Sequence, residues 1–367
     1  MADPALERRA KALLDNLARL PRFAGTSDES QARDICRRQL EQSGFHCREI
    51  PFEYSQWPGR WGPPLVAAVQ AATILCVSRI ATHWGALPGV AFGSVIALLL
   101  VTLNARAKRR WIQNLGLQRS TSTNLEAVRG APRVWLCAHL DSKSQTIPML
   151  VRIASAVALG VITILADVLL LLDLFAGADN HAAWTGLEVA AVVSALPSVF
   201  CWVGNKSRGA LDNATGVAAV LIAATLPAAS TDVGVIITSG EELGLAGARV
   251  WAQTADRDIK LINCDTVDDR GGFRCMHTGP RPLAMISASE KSATAMGVKL
   301  ATGRLIPGIL ADSVAFADLG IQAVTMSRGK LSTLARIHTR RDTSNELTGK
   351  GVAEAAQLLA ALTRELS

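Results

Sequence analysis

The sequence contains few charged and few aromatic residues. Of its 367 residues, 19% are charged, 5% are aromatic and one is tyrosine, whereas 49% are hydrophobic. The mean hydropathy is positive, at +0.25. A composition this apolar excludes an intrinsically disordered chain, because disorder requires low hydrophobicity. It also argues against a surface exposed to water throughout, since soluble domains carry about a quarter charged residues.

Paired cysteines and a secretory leader are missing as well. The seven cysteines are scattered and none forms a Cys-x-x-Cys pair, which argues against a disulfide scaffold and favours a reducing compartment. Residues 1–23 place Leu and Ala at helical spacing among Arg and Lys, without a continuous apolar segment. They therefore predict no cleavable signal peptide.

The chain carries a net charge of +7. Such a charge suits nucleic acid, an anionic lipid surface or no specific partner. The densest basic run, at 106–110, is accompanied by no recognisable nucleic-acid-binding motif. We therefore expect no nucleic-acid partner.

Four long apolar runs account for the high hydropathy. Each is close to the roughly 20 residues that cross a bilayer. The alternative is a set of buried core helices, which Asp167 in the third run would favour because a carboxylate in lipid is costly. Two adjacent hairpins of this length exceed what one soluble core needs, so we predict about four transmembrane helices. The runs are Pro64–Thr82, Ala86–Leu103, Ile153–Phe175 and Thr185–Gly204.

The charges that flank these runs predict an orientation. Basic residues follow the second run, at 106–110, and the fourth, at 206–208, whereas the loop inside each hairpin carries almost none. Cytoplasmic flanks are enriched in Lys and Arg. The N-terminus, the segment 105–150 and everything after residue 205 are therefore placed in the cytoplasm, and the chain is expected to be a multi-pass integral membrane protein.

Outside the apolar runs, strand and helix patterns alternate. This alternation is typical of an α/β domain with a mostly parallel central sheet covered by helices on both faces. The two apolar helical hairpins are then insertions into loops of that domain. Strands are predicted at 45–52, 133–138, 233–238, 259–264 and 321–327, and helices at 27–43, 214–226, 246–252, 287–296 and 350–366.

Polar motifs follow several of these strands, at the edge where open α/β sheets bind ligands. They bring two histidines and at least four carboxylates to one rim. Imidazole and carboxylate groups are good ligands for Zn²⁺, and two neighbouring ions need a bridging carboxylate. The motifs are His139-Leu-Asp141, Gly209-Ala-Leu-Asp212-Asn213-Ala-Thr-Gly216, Ser239-Gly-Glu241-Glu242-Leu-Gly244, Asp265 and Ile337-His338.

Two of these motifs contain neighbouring residues that are expected to have different roles in the metal site. One carboxylate must stay off the metal to act as general base, and the adjacent Glu241 and Glu242 can supply one base and one ligand. Asp141 lies two residues after His139. Its carboxylate could reach the second imidazole nitrogen and fix the tautomer.

The ordered set of motifs resembles the M28 family of zinc peptidases, the co-catalytic dizinc aminopeptidases and their relatives. The resemblance covers roughly residues 27–60, 120–148 and 205–367, and it implies a zinc exopeptidase-like fold. It also implies a role for each motif residue. These roles are His139 and Asp265 on the first zinc, Asp212 as bridge, Glu242 and His338 on the second zinc, Glu241 as base, Asp141 as the residue that orients His139, Asp312 and Ser313 in the substrate pocket, with a helix cap as the alternative for Asp312, and Asp342 as the residue that positions His338 or caps the following helix.

The resemblance implies hydrolysis, in which Glu241 takes a proton from a zinc-activated water and passes it to the leaving amine. We expect a membrane-embedded aminopeptidase with two Zn²⁺ per chain, in a site that would also accept Co²⁺ or Mn²⁺. Its partners would be a peptide substrate and the lipid bilayer, and the oligomeric state is unspecified. A carboxypeptidase, a glutaminyl cyclase-like transferase and a non-catalytic membrane scaffold are the alternatives. The intact set of ligand positions argues against the scaffold.

The expected domain organisation follows from the insertions. The hairpins divide one α/β domain into three stretches of sequence. Residues 1–60 hold the N-terminal helices and the first strand, 61–105 the first hairpin, 106–148 the stretch with His139 and Asp141, 149–204 the second hairpin, and 205–367 the remainder of the domain.

Overall fold

The computed structural model describes residues 3–106, 116–177, 180–306 and 309–367. The chain divides into two compact units. The first unit is interrupted twice, and the two interrupting segments form the second unit. The α/β unit consists of Met1–Ser55, Gln118–Ser144 and Gly204–Ser367. The helical unit consists of Gln56–Leu117 and Gln145–Val203.

Ten strands lie in the described residues. Eight of them form one sheet, and β4 pairs with β5 in a two-stranded sheet. In chain order they are β1 His46–Ser55, β2 Arg119–Arg129, β3 Val134–His139, β4 Ser144–Gln145, β5 Val203–Gly204, β6 Val233–Thr238, β7 Lys260–Val267, β8 Gly272–His277, β9 Leu300–Arg304 and β10 Gln322–Gly329.

Twelve α-helices lie in the same described segments. Short turns of other helix types, at Ala210–Ala214, Glu241–Leu243 and Ser344–Glu346, separate some of them from the strands. The helices are α1 Pro4–Leu17, α2 Ser27–Glu41, α3 Trp57–Trp84, α4 Ala86–Arg106, α5 Met149–Ala176, α6 His181–Val199, α7 Thr215–Thr225, α8 Ala246–Thr254, α9 Leu283–Ala295, α10 Asp312–Ala317, α11 Leu331–Leu334 and α12 Lys350–Leu366.

The large sheet has the order β1-β2-β6-β3-β7-β10-β8-β9. The central strands β6, β3, β7 and β10 run parallel to one another, and the outer strands β1, β2 and β8 join by antiparallel pairing. Every residue of β3 and of β6 is buried. Continuous apolar strands of this kind are typical of parallel sheets that are covered on both faces.

Helices cover the central strands from two sides. On one face, α8 and α10 pack on a core that includes Trp135, Cys137 and Phe316. On the other, α7 and α12 pack together and contact β3 and β7. Gly234 on β6 makes room for the Trp135 indole, because a Cβ there would lie 2.3 Å from the ring. The predicted fold class, mostly parallel with helices on both faces, is confirmed.

The helical unit contains α3, α4, α5 and α6. All four are long and apolar enough to cross a membrane. One core cluster packs Ile74, Ala86, Leu169 and Trp184 near the turns of the two hairpins. A second cluster packs Ala71, Leu159 and Ala195 nearer the other end of the helices. The basic run at 106–110, on which part of the topology prediction rests, extends outside the described residues.

The structure also contains strands that the sequence patterns did not predict, namely β2, β8 and β9 in the large sheet and the two-residue strands β4 and β5. Strand β2 contains five consecutive polar residues, Ser120–Asn124, and is only partly buried. Strand β9 is an edge strand of the sheet, and β8 lies next to it. Strands at a partly exposed position bury few side chains, so their sequences lack the apolar run that marks β3 or β6.

Candidate metal centre

The predicted ligands lie at the carboxyl ends of the central strands. His139 ends β3, and it pairs with Thr238 at the end of the parallel strand β6. Glu241 begins the turn that follows β6, and Asp265 lies inside β7, slightly earlier in the strand than expected. Because β6, β3 and β7 are adjacent and parallel, their ends deliver these side chains to one place.

Two clusters of possible metal ligands result. In the first, the ligand atoms of His139, Glu241 and Asp265 lie within 4.8 Å of one another; we call it the His139 cluster. In the second, those of Asp212, Glu242 and His338 lie within 4.8 Å of one another; we call it the His338 cluster. All five predicted ligands and the predicted base are thus brought together.

Asp212 faces both clusters. Its Oδ1 lies 3.2 Å from Nε2 of His139, and its Oδ2 lies 2.9 Å from Nε2 of His338. Each oxygen therefore points at a different imidazole, which is the arrangement that a carboxylate bridging two ions requires. Glu242 Oε1 lies 3.1 Å from His338 Nε2.

The chemistry of this donor set fits two cations. Four carboxylates, those of Asp212, Glu241, Glu242 and Asp265, converge on two imidazoles in a largely buried site. Burying several negative charges together is costly unless positive charge compensates them. Imidazole nitrogen and carboxylate oxygen are ligands that Zn²⁺ prefers.

Asp141 reaches His139 in a different way from the one expected. The carbonyl oxygen of Asp141 lies 3.1 Å from Nδ1 of His139, whereas its carboxylate lies 3.7 Å away. The carboxylate instead accepts hydrogen bonds from the backbone N–H groups of Glu241, at 3.1 Å, and Glu242, at 3.2 Å. Asp141 thereby ties the end of β3 to the turn that carries the predicted base.

The pKa values of the adjacent Glu241 and Glu242 are shifted in opposite directions. Burial raises the pKa of Glu241 well above its ordinary value, and the carboxylates of Glu242 and Asp265 raise it further, against the opposing effect of His139. Burial also acts to raise the pKa of Glu242, but His338 and Lys143 outweigh it and hold that pKa below its ordinary value. The two neighbours are thus suited to proton transfer and to ligation respectively.

The two histidines lower the pKa of Asp212. Burial alone would raise the pKa of this carboxyl, but the contacts with His139 and His338 hold it well below the usual range. Asp212 is therefore ionised at every physiological pH, as a metal bridge must be.

Asn213 and Gly216 set the turn that carries Asp212. Asn213 Nδ2 donates to the carbonyl of Cys264 at 2.9 Å, and its Oδ1 accepts from the amides of Gly216 and Thr266. A Cβ on Gly216 would lie 2.1 Å from Asn213 Oδ1 and 2.4 Å from the Cys264 carbonyl oxygen. The glycine is therefore required for the turn to approach β7 beside Asp265.

Asp342 holds the turn that carries Asp212. Its carboxylate accepts hydrogen bonds from the backbone N–H groups of Leu211, at 2.7 Å, and Asp212, at 3.2 Å. Burial raises the pKa of Asp342 to about 7. The sequence motif showed that this residue is polar and close to His338, but not which loop it holds.

Asp312 and Ser313, the two predicted pocket residues, are both buried. Asp312 accepts a hydrogen bond from Thr238, and the thiol of Cys137 lies 3.8 Å from the same carboxylate oxygen. Ser313 Oγ lies 2.6 Å from Thr325 Oγ1. Both side chains thus make polar contacts between α10 and the sheet, and burial raises the pKa of Asp312 to about 6.

Sequence reasoning missed Arg22, a residue that is only 1% exposed. It donates to the carbonyl of Leu140 at 2.8 Å and to that of Gly209 at 2.9 Å. It therefore joins the loop after His139 to the loop before Asp212. An isolated Arg in a loop carries no sequence signal for such a role, because its acceptors are backbone carbonyls.

The fold and the paired clusters define a class, that of α/β proteins built around a candidate two-cation centre. The family model for peptidase family M28 matches residues 124–363, which is more than half of the chain. The chain belongs to peptidase family M28. A search of curated proteins gives no significant match.

Solved structures of several enzymes share this fold. The aminopeptidase from Aneurinibacillus sp. strain AM-1 matches with a TM-score of 0.57 and 14% identity, over 97% of this chain and 92% of that one. BSAP, a zinc aminopeptidase from Bacillus subtilis, matches with a TM-score of 0.57 and 13% identity, over 98% of this chain and 95% of that one. The glutaminyl cyclase from Fimbriiglobus ruber matches with a TM-score of 0.54 and 14% identity, over 99% of this chain and 95% of that one. At such identities the likeness establishes the fold alone.

Proposed function

We propose that this protein is a membrane-embedded metallo-aminopeptidase that removes N-terminal residues from peptides. The observation that carries the proposal is the placement of Asp212, whose two carboxylate oxygens face His139 and His338 at 3.2 and 2.9 Å. A site for a single ion does not need one carboxylate aimed at two histidines. The proposed ligands are His139, Asp212 and Asp265 for one Zn²⁺, and Asp212, Glu242 and His338 for the other.

Two zinc ions bound there would acidify a water molecule and polarise the carbonyl group of the substrate. Glu241 accepts the proton of the attacking water and then donates it to the leaving amine. A base must be ionised to act, and burial opposes ionisation of Glu241. Positive charge at the two clusters would offset that effect. Asp141 holds the Glu241 amide at 3.1 Å and so fixes the position of the base.

A glutaminyl cyclase-like transferase is the second candidate, because the structures that share the fold include the glutaminyl cyclase from Fimbriiglobus ruber. The complete set of ligand positions for two ions favours hydrolysis. A carboxypeptidase would use the same centre with a different substrate pocket. A test for aminopeptidase activity must therefore include substrates with blocked amino groups.

The test is hydrolysis of a panel of aminoacyl-anilides by the detergent-purified protein, with zinc content measured on the same samples. Glu241→Gln keeps the shape of the side chain but cannot accept a proton. We expect it to lower kcat by about 10²–10⁴ while zinc stays bound. Glu53→Gln, which changes an exposed glutamate on β1, is the matched control and should behave as wild type.

The outcomes separate the candidates. Zinc-dependent release that is lost in Glu241→Gln supports the aminopeptidase. Bound zinc with cyclisation of N-terminal glutamine, and no release from free-amino substrates, supports the cyclase. A folded wild-type protein that binds no zinc contradicts the proposed centre altogether.

The surface of the helical unit supports embedding in a membrane. Apolar side chains project outward along the helices, including Val95, Leu98 and Ile164, each more than 60% exposed. Polar groups instead pair between helices, as Gln70 does with Thr163 at 2.8 Å. A soluble unit would bury such apolar side chains, whereas lipid accommodates them.

Aromatic residues at both ends of the helical unit agree with this placement. Trp84 and Phe175 are 76% and 83% exposed near the hairpin turns. Phe200 and Trp202 are 53% and 55% exposed beyond the other end of α6. Exposed Trp side chains at two levels, such as Trp84 and Trp202, are typical of the two membrane–water interfaces.

We further propose that the α/β unit lies on the cytoplasmic side. Cysteine labelling in intact cells tests this orientation, after the non-buried Cys47 and Cys76 are replaced by Ser. A membrane-impermeant maleimide should label His83→Cys, in the last turn of α3, in intact cells, and Glu365→Cys, in α12, only after permeabilisation. The reverse pattern would overturn the cytoplasmic placement, and recovery of the protein in an alkaline carbonate supernatant would overturn the embedding.

A further inference from the structure

Lys143 lies against the His338 cluster, although no motif assigned it a role. Its Nζ is 2.6 Å from Oε2 of Glu242 and 3.2 Å from the Glu242 carbonyl oxygen. The two side chains are 12% and 4% exposed, so the pair is largely withdrawn from solvent. A contact this sheltered is screened far less than a surface ion pair.

The two oxygens of Glu242 are therefore divided between two partners. Oε2 contacts Lys143 at 2.6 Å, whereas Oε1 lies 3.1 Å from Nε2 of His338. An ion at the His338 cluster can bind Oε1 without disturbing the lysine. To bind both oxygens of Glu242, it would have to displace Lys143.

Two buried neighbours of the His139 cluster are acidic, whereas the His338 cluster has Lys143 beside it in addition to the acidic Asp342. Asp141 places a carboxylate oxygen 3.7 Å from Nδ1 of His139. The fully buried carboxyl of Asp312 lies nearby, in contact with Cys137 two residues before His139. Negative neighbours attract a cation, and a positive neighbour repels it.

We propose that Lys143 makes the His338 cluster the weaker of two cation sites, because it occupies one oxygen of Glu242 and places a positive charge beside the ion. This inference rests on the proposed two-metal centre. It means that the second ion binds after the first and exchanges more readily, so the occupancy of the complete centre depends on the concentration of free metal.

Calorimetric titration of Zn²⁺ into the metal-free full chain in detergent tests the proposal. Wild type should bind two ions in two resolved steps. Lys143→Met should tighten the weaker step by about tenfold or more, because a unit charge a few ångströms from a divalent ion has at least that effect even in water. The tighter step should change little.

Two further lysine variants control this experiment. Lys206→Met removes the same charge from an exposed position and should leave both steps as in wild type. Lys143→Arg keeps the charge and should also keep the weak step weak. If Lys143→Met does not fold, the neutral Lys143→Gln is titrated in its place.

Histidine variants assign the steps to the clusters. His338→Ala should remove the weak step, and the ion that remains in His139→Ala should be the weakly bound one. Equal affinities of the two sites in wild type, or an unchanged or weaker second step in Lys143→Met, would overturn the proposal. Binding of no zinc by wild type would instead refute the proposed metal centre itself.

Discussion

Arg22 offers a sharp test of how the metal centre is held together. Its guanidinium donates to the carbonyls of Leu17, Arg208, Leu140 and Gly209 at 2.9, 2.6, 2.8 and 2.9 Å. Two of these acceptors lie next to segments that carry ligands. We predict that Arg22→Met destabilises the α/β unit and weakens zinc binding together.

The magnitude follows from the four acceptors. Each buried carbonyl left without a donor costs about 1–3 kcal/mol. Removing a buried cation recovers part of that loss, because the protein no longer has to desolvate the charge when it folds. We therefore expect a net destabilisation of about 3–6 kcal/mol, and a fall in Tm of roughly 6–24 °C for a unit of this size.

The assay combines thermal unfolding of the purified protein with zinc titration at a temperature where the variant is still folded. Arg19→Met removes the same charge from an exposed position three residues earlier and is the matched control. Arg22→Lys keeps the charge, but one ammonium group cannot span four carbonyls, so it should fall between wild type and Arg22→Met.

Zinc affinity should fall by about 10–100-fold in Arg22→Met, as it does when residues that orient metal ligands are lost. A variant that unfolds within 2 °C of wild type and binds zinc equally well would refute the reasoning. A loss of stability with unchanged zinc affinity would mean that Arg22 supports the fold without positioning the ligands.

Two other predictions concern single carboxylates. Asp212→Ala should lose both ions, because a bridging group serves both; two ions per chain in the purified variant, measured by elemental analysis, would contradict the bridge. Glu29→Gln should be more stable than wild type above pH 7. Burial raises the pKa of Glu29 from 4.5 to about 7, so the native state holds the proton more tightly than the unfolded state does. The stability of the wild-type protein that depends on protonated Glu29 is fully present below pH 4.5. It is lost as the pH rises through about 7, and the free energy of unfolding falls by an amount on the order of 3 kcal/mol. Thermal unfolding of both proteins at pH 5 and pH 8 measures this difference, and equal pH dependence would rule it out.

Much of the fold could be predicted from local pattern. The all-buried run Val233–Thr238 and the amphipathic helix Lys350–Leu366 have the predicted boundaries in the structure. Central strands and a helix with one apolar face repeat their signal over many residues. Strands β2, β8 and β9 were missed because their pairing with neighbouring strands in the outer parts of the sheet, rather than their composition, makes them strands.

The candidate site was likewise predicted in part from the sequence. The types of ligand, and their positions after successive strands, could be predicted from the sequence, since motifs such as Glu241-Glu242 are local. The residues that orient these ligands could be identified only from the folded structure. Asp141 binds the amides after β6, Asp342 binds those before Asp212, and Lys143 takes one oxygen of Glu242.

The physical reason is the range of each interaction. Hydrophobic periodicity and strand-end motifs act over a few neighbouring residues, so they can be read along the chain. Hydrogen bonds from Arg22 to loops more than 100 residues away depend on how the sheet brings those loops together. Backbone acceptors carry no residue identity, and their partners therefore become visible only in the folded molecule.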